Sequence, residues 1–208
     1  MDDIRVPTPD DVAAAAQASY ALLAPLADRD WSATTGDLEW DCRTTLEHVA
    51  GVQLFYAIHA ASQAMGRLPA ARTGNPEQSV ADLIEVHRAQ AVVLAEALRA
   101  MPDTARGWHP AGMADRYGFA AMSCTEILVH TNDIAQGLGV EFTPPDGVAA
   151  RTIARLFPWV QVEGNPWQTL LYAAGRRPLG EMERRAPNWS WQCAPLSEWN
   201  GEVRVRGG

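Results

Sequence analysis

Glu126 and His130 stand four residues apart in the stretch Phe119 to Ile134, so on an α-helix they lie one above the other, and Asp133 continues their stripe at the next turn. Phe119, Met122, Ile127, Leu128, Val129 and Ile134 make the same stretch apolar nearly all the way round, the pattern of a helix buried inside a bundle. The polar stripe then faces the interior, where a carboxylate or a charged imidazole needs a partner because an unpaired charge costs several kcal/mol. One solution is an ordinary i, i+4 ion pair between Glu126 and His130, with His48 a satisfied core histidine. The other is a divalent metal, for which His48, in Leu46-Glu47-His48-Val49-Ala50, is a ready third ligand from a facing helix. Three protein ligands leave one coordination position open, as in catalytic zinc sites, and imidazole plus carboxylate would also accept nickel, iron or manganese. Spacing alone leaves both solutions open.

The elements that must position these residues are helical. Thr8-Pro9-Asp10-Asp11 caps a first helix running to about Asp28, and Asp41 caps a second from about Arg43 to Met65, closed by Gly66. Ser79 opens a third, with Leu83, Ile84, His87, Ala91, Leu94 and Leu98 at helical spacing until Met101-Pro102 stops it. A fourth spans about Asp115 to Leu138 and ends at Gly139; a fifth follows Pro144-Pro145-Asp146 to about Phe157, and a short sixth runs from Pro166 through Ala174. No strand pattern and no repeat emerges. The reading is an all-α chain: a four-helix bundle with additional short helices over residues 1–165, and a C-terminal extension rich in Arg, Trp and Pro over 166–208, packed on the bundle.

With 208 residues, 47% of them hydrophobic and 20% charged, the chain has the composition of one globular domain plus an extension. No apolar run is long enough for a signal peptide or a membrane span, which makes the cytoplasm the expected compartment. The net charge is −8, and all 17 basic residues are Arg, so an acidic surface without a basic run argues against nucleic acid as a partner and leaves a small molecule. Residues 175–208 depart from the average, with six Arg against four Glu.

Cys42, Cys124 and Cys193 are too scattered for a disulfide framework or a zinc knuckle and read as reduced packing residues. His87 lies on the apolar face of the third helix and reads as a hydrogen-bonded core residue; His59 is three turns from His48, too far to share a metal. His109 sits in a Trp-His-Pro loop and could line the mouth of the site, although nothing in the sequence argues for it. Arg116, Arg151, Arg155, Arg176 and Arg177 are the candidate clamps for a carboxylate, and Trp189, Trp191 and Trp199 could roof a pocket but read first as anchors of the tail.

Two words of the sequence, Thr45-Leu-Glu-His48-Val-Ala and Glu126-Ile-Leu-Val-His130-Thr-Asn-Asp133, resemble the metal-binding words of the mycothiol-dependent maleylpyruvate isomerase family, within the wider DinB-like group. Leu170 to Pro178 and Trp189-Ser-Trp191 look like the ending of small members. The resemblance implies a DinB-like bundle with a metal triad of His48, Glu126 and His130, zinc first among the ions. It also implies a low-molecular-weight thiol such as mycothiol, used for isomerisation or S-transfer on a small electrophile. A metal-dependent hydrolase of the same group and a non-catalytic ligand-binding bundle are the competing expectations. The full-length isomerases carry a further C-terminal domain that contributes to the active site, whereas only ~40 residues follow the bundle on this reading of the boundaries, a departure that bears on isomerase activity itself.

Overall fold

The computed structural model describes residues 6–36, 38–69, 75, 77–162 and 164–206. Its long helices are α1 (Pro9–Leu23), α2 (Cys42–Ser62), α3 (Val80–Ala100) and α4 (Arg116–Gly137), followed by the shorter α5 (Val148–Leu156) and α6 (Pro166–Ala173). α1 and α2 each pack against both α3 and α4, so the four form a ring in the order α1-α3-α2-α4. The two helices that carry the metal-candidate residues, α2 and α4, are therefore neighbours. α5 packs on α4, and α6 packs on α5.

Side-chain caps fix where the long helices start. Asp41 accepts from the Thr44 N–H at 2.6 Å, Ser79 from Asp82 at 3.1 Å and Asp115 from Gly118 at 2.7 Å, each satisfying a free N–H of a first turn. α4 is the central element: 16 of its 22 residues are buried, which matches its nearly continuous apolar sequence. Phe119, Met122, Ile127 and Leu128 are fully buried and form one core with Leu94, Leu98, Ile153 and Leu170.

Three boundaries differ from the sequence reading, each for a local reason. α1 ends at Leu23 and gives way to a single 3-10 turn over Ala24–Leu26, where Pro25 has no N–H to continue the helix. α2 ends at Ser62 because Gln63 takes a left-handed φ of 51°, and the Trp108 N–H takes the Ala64 carbonyl at 2.8 Å, drawing the chain aside before Gly66. α5 begins only at Val148, after Gly147 at φ 76°. The expectation of no strand is corrected: β1 (Gly107–His109) and β2 (Gly112–Ala114) pair antiparallel, with Trp108 opposite Met113. Three residues a side, half of them Gly or Ala, carry no alternation that a sequence pattern can detect.

The chain after α6 runs back over the bundle without long elements. Trp191 and Cys193 enter the main core, and the fully buried Arg155 of α5 pins this segment. Arg155 donates to Asp115 at 2.6 Å and to the carbonyls of Gln192 and Cys193 at 2.8 and 3.0 Å. Gly118 makes room for that crossing, since a Cβ there would meet the Cys193 carbonyl oxygen at 2.1 Å.

Candidate metal centre

His48 comes from the second turn of α2, while Glu126 and His130 come from consecutive turns of α4. Glu126 Oε2 lies 3.4 Å from His48 Nε2 and 3.2 Å from His130 Nε2, and the two imidazoles meet edge to face at 5.2 Å. All three ligand atoms lie within 4.8 Å of one another, and the side chains keep only 28%, 13% and 12% of their exposure. Two ligands each ~2.1 Å from one tetrahedral ion stand about 3.4 Å apart, so the carboxylate-to-imidazole spacings fit a shared ion. Both alternatives from the sequence thus occur in one geometry: Glu126 is close to His130 as in an ion pair, and His48 joins them.

Asp133 sets the orientation. It receives the His130 Nδ1–H at 3.0 Å and, on its other side, the Arg176 guanidinium at 2.9 to 3.1 Å. A carboxylate can only accept, so in the neutral ring the proton sits on Nδ1 and the lone pair on Nε2, the nitrogen that faces Glu126 and His48. This is the carboxylate–histidine arrangement that fixes a metal-ligating imidazole. Without an ion the same network holds charge. Burial disfavours a protonated His130, but Asp133 and Glu126 outweigh it and raise its pKa to about 9. Burial likewise opposes the Glu126 charge, yet hydrogen bonds from His130 and His48 hold its carboxyl far below the ordinary range.

The cluster borders two lobes of a cavity. The first, about 790 Å³, is lined by Trp40, Arg176, Arg184, Arg185, Trp189 and Arg206 among others; the second, about 750 Å³, runs past Phe55, Tyr56, His109 and Trp191. His48, Glu126, Trp189, Trp191 and Arg206 line both. Of the five arginines singled out in the sequence, only Arg176 is here. Arg116 pairs with Asp103, Arg151 with Asp11 and Arg155 with Asp115, while Arg177 donates to Gln168. The sequence reading missed Arg184, Arg185 and Arg206, and with them Trp40; the excess of Arg in the tail was the available signal. Trp189 and Trp191 roof the cavity besides anchoring the tail, whereas Trp199 packs on Trp159.

The remaining histidines separate cleanly. His59 donates from Nδ1 to the Phe55 carbonyl at 2.9 Å and accepts the Leu68 N–H on Nε2 at 3.2 Å, so both its nitrogens are used away from the cluster. His87 is buried as expected, but the hydrogen bond expected of it is missing: neither ring nitrogen has a partner among the described residues, because the facing core surfaces supply none. All three cysteines are free and buried, and burial pushes the Cys42 and Cys193 thiols up to about 11 and Cys124 higher still.

The sequence profile described as the mycothiol maleylpyruvate isomerase N-terminal domain matches residues 12–135, more than half of the chain. The chain belongs to that family. Its DinB-like helical fold and its mycothiol-related character follow from membership. All three clustered side chains, with Asp133 and Trp40, fall inside the matched region of this mycothiol maleylpyruvate isomerase N-terminal domain, while Arg176, Arg184, Arg185, Trp189, Trp191 and Arg206 lie beyond it. No curated protein and no solved structure matches the chain significantly. Among the described residues, no helix is long and apolar enough to cross a membrane.

Proposed function

We propose that the protein is a metal-dependent enzyme that brings a low-molecular-weight thiol, mycothiol or a relative, to a small electrophile for isomerisation or S-transfer. The observation that carries this reading is the convergence of His48, Glu126 and His130 on one point at the junction of two cavity lobes. These three side chains would hold the ion, zinc first, with Asp133 and Arg176 fixing the His130 ring. Bound there, a divalent ion supplies the positive charge that keeps a thiol ionised at neutral pH.

The thiol must come from outside the chain, because Cys42, Cys124 and Cys193 are all buried and their thiols are held protonated. The two lobes offer separate places for the thiol's body and for the electrophile. Arg185 and Arg206 favour an acidic electrophile: both line the first lobe, Arg206 over the Trp189 ring, in a protein whose net charge is −8. Trp189 and Trp191 line both lobes beside the cluster.

Cobalt substitution tests the proposal. One cobalt per chain should bind, His48→Ala or His130→Ala should abolish binding, and the right thiol should add a sulfur-to-cobalt charge-transfer band. If no thiol, cysteine and mycothiol included, produces the band while the protein hydrolyses an ester or amide unaided, the hydrolase reading replaces this one. Full cobalt occupancy in both variants would remove the metal assignment itself.

A further inference from the structure

His109 lines the second lobe from the end of β1, and its ring is held in one tautomer. The Ala111 N–H donates to Nδ1 at 3.0 Å, so Nδ1 keeps its lone pair and the neutral ring carries its proton on Nε2. Nε2 has no partner among the described residues, yet unlike the two sealed nitrogens of His87 it is not closed off from the cavity. His109 as a whole keeps only 9% of its exposure and lines the second lobe, so its Nε2–H can be met by what the cavity holds. The aromatic neighbours of His109 give the space its shape: Tyr56 at 5.7 Å, Trp191 at 5.9 Å and Phe55 at 6.5 Å between ring centroids.

We propose that His109 Nε2–H is the hydrogen-bond donor for an uncharged carbonyl oxygen of the bound ligand, and that the lobe between Phe55, Tyr56 and Trp191 is a subsite for a flat carbonyl-bearing group. The two lobes then divide the recognition. The first lobe carries Arg176, Arg184, Arg185 and Arg206; the second, which Arg67, Arg204 and Arg206 also line, adds His109 as an uncharged directional donor beside the rings of Phe55, Tyr56 and Trp191. A donor whose tautomer is fixed in advance loses little freedom on binding, and it rejects any group that presents its own N–H instead of a lone pair. Burial keeps the ring neutral, moving its pKa down to about 4, so the site offers a donor without a charge. The inference rests on the thiol reading only in placing this ligand beside the cluster.

The test uses zinc-loaded full-length protein without thiol and benzamide as the probe, a flat ring bearing one carbonyl. Histidine-ring proton–nitrogen NMR should find His109 in the Nε2–H form, and that resonance should move downfield as benzamide is added. His109→Leu should weaken benzamide binding by about tenfold, the worth of one neutral hydrogen bond. His109→Gln, whose amide nitrogen reaches the position of Nε2, should restore most of it; His109→Asn, which reaches only the position of Nδ1, should not. An unmoved Nε2–H resonance, or equal benzamide affinity in wild type and His109→Leu, would overturn the assignment. Because no thiol is present, these results stand apart from the cobalt experiment: a missing charge-transfer band beside an intact benzamide response discards the thiol and keeps His109.

Discussion

The bundle buries two imidazoles between its long helices and treats them in opposite ways. His130, on α4, is surrounded by Glu126, Asp133 and, one step further, Arg176, and its pKa is raised to about 9. His87, on α3, is buried to 1% exposure among apolar neighbours, and desolvation alone lowers its pKa to about 4. Burial lowers the pKa of both rings, at 12% exposure for the His130 side chain and 1% for His87, so burial does not decide the direction of the shift. Carboxylates within hydrogen-bond reach do, and they occur only where α4 faces α2. Polar order is concentrated on the orientation of His130, while His87 is left neutral.

Removing His130 breaks that contrast most severely. His130→Ala deletes one of the three convergent donors and leaves Glu126 with a single imidazole, so the variant should lose its metal and roughly 3 kcal/mol of stability. Elemental analysis together with urea denaturation checks both, and a variant that keeps metal and midpoint would show that the cluster is neither a site nor a structural pair.

His87 allows the opposite manipulation. The unfolded imidazole titrates near its ordinary 6.5 and the folded one near 4, so the unfolded chain binds the proton first as pH falls. Its contribution is complete above about pH 6.5 and drains away toward pH 4, by up to about 3 kcal/mol at the acid end. His109 is shifted the same way and loses stability in the same window. His87→Leu should therefore remove about half of this acid loss, leaving the His109 share, with little change in metal affinity. Identical pH dependence in wild type and variant, from urea midpoints between pH 7 and 4.5, would mean that His87 reaches a partner or water.

The smallest effect sharpens the comparison within the cluster. Asp133→Asn keeps the size of the side chain but gives up the charge that holds both His130 Nδ1–H and Arg176, and metal affinity should fall by about 10–100-fold without vanishing. Competition against a chelator of known affinity measures it. Complete loss at saturating zinc would make Asp133 a direct ligand.

How much of this could be read from the residues follows the range of the interactions. Glu126, His130 and Asp133 were legible because four- and three-residue spacings on one helix fix a shared face, and the long helices were legible from their caps and periodicity. His48 joined them because bundle interiors commonly gather ligands from facing helices and the family words agreed. Arg176 stood among five equal candidates, since nothing local says that a residue 43 positions downstream will reach Asp133. Arg206, Trp40 and the donor role of His109 were illegible for the same reason: each depends on how irregular chain is laid across the bundle. The β-hairpin that carries His109 is also too short to leave a pattern.

That irregular chain is held in place by Arg155, whose guanidinium ties α5, the start of α4 and the carbonyls of Gln192 and Cys193 into one buried knot. The knot makes the cavity wall a faceplate bolted to the bundle at a point that includes none of the three convergent residues. The lobe-lining residues Arg184, Arg185, Trp189, Arg204 and Arg206 can thus be exchanged to alter what enters the lobes while the cluster on α2 and α4 stays as it is, provided that Arg155, Asp115, the room at Gly118 and the core residues Trp191 and Cys193 are kept. The cluster and a large part of the wall beside it are thus assembled from different stretches of one chain.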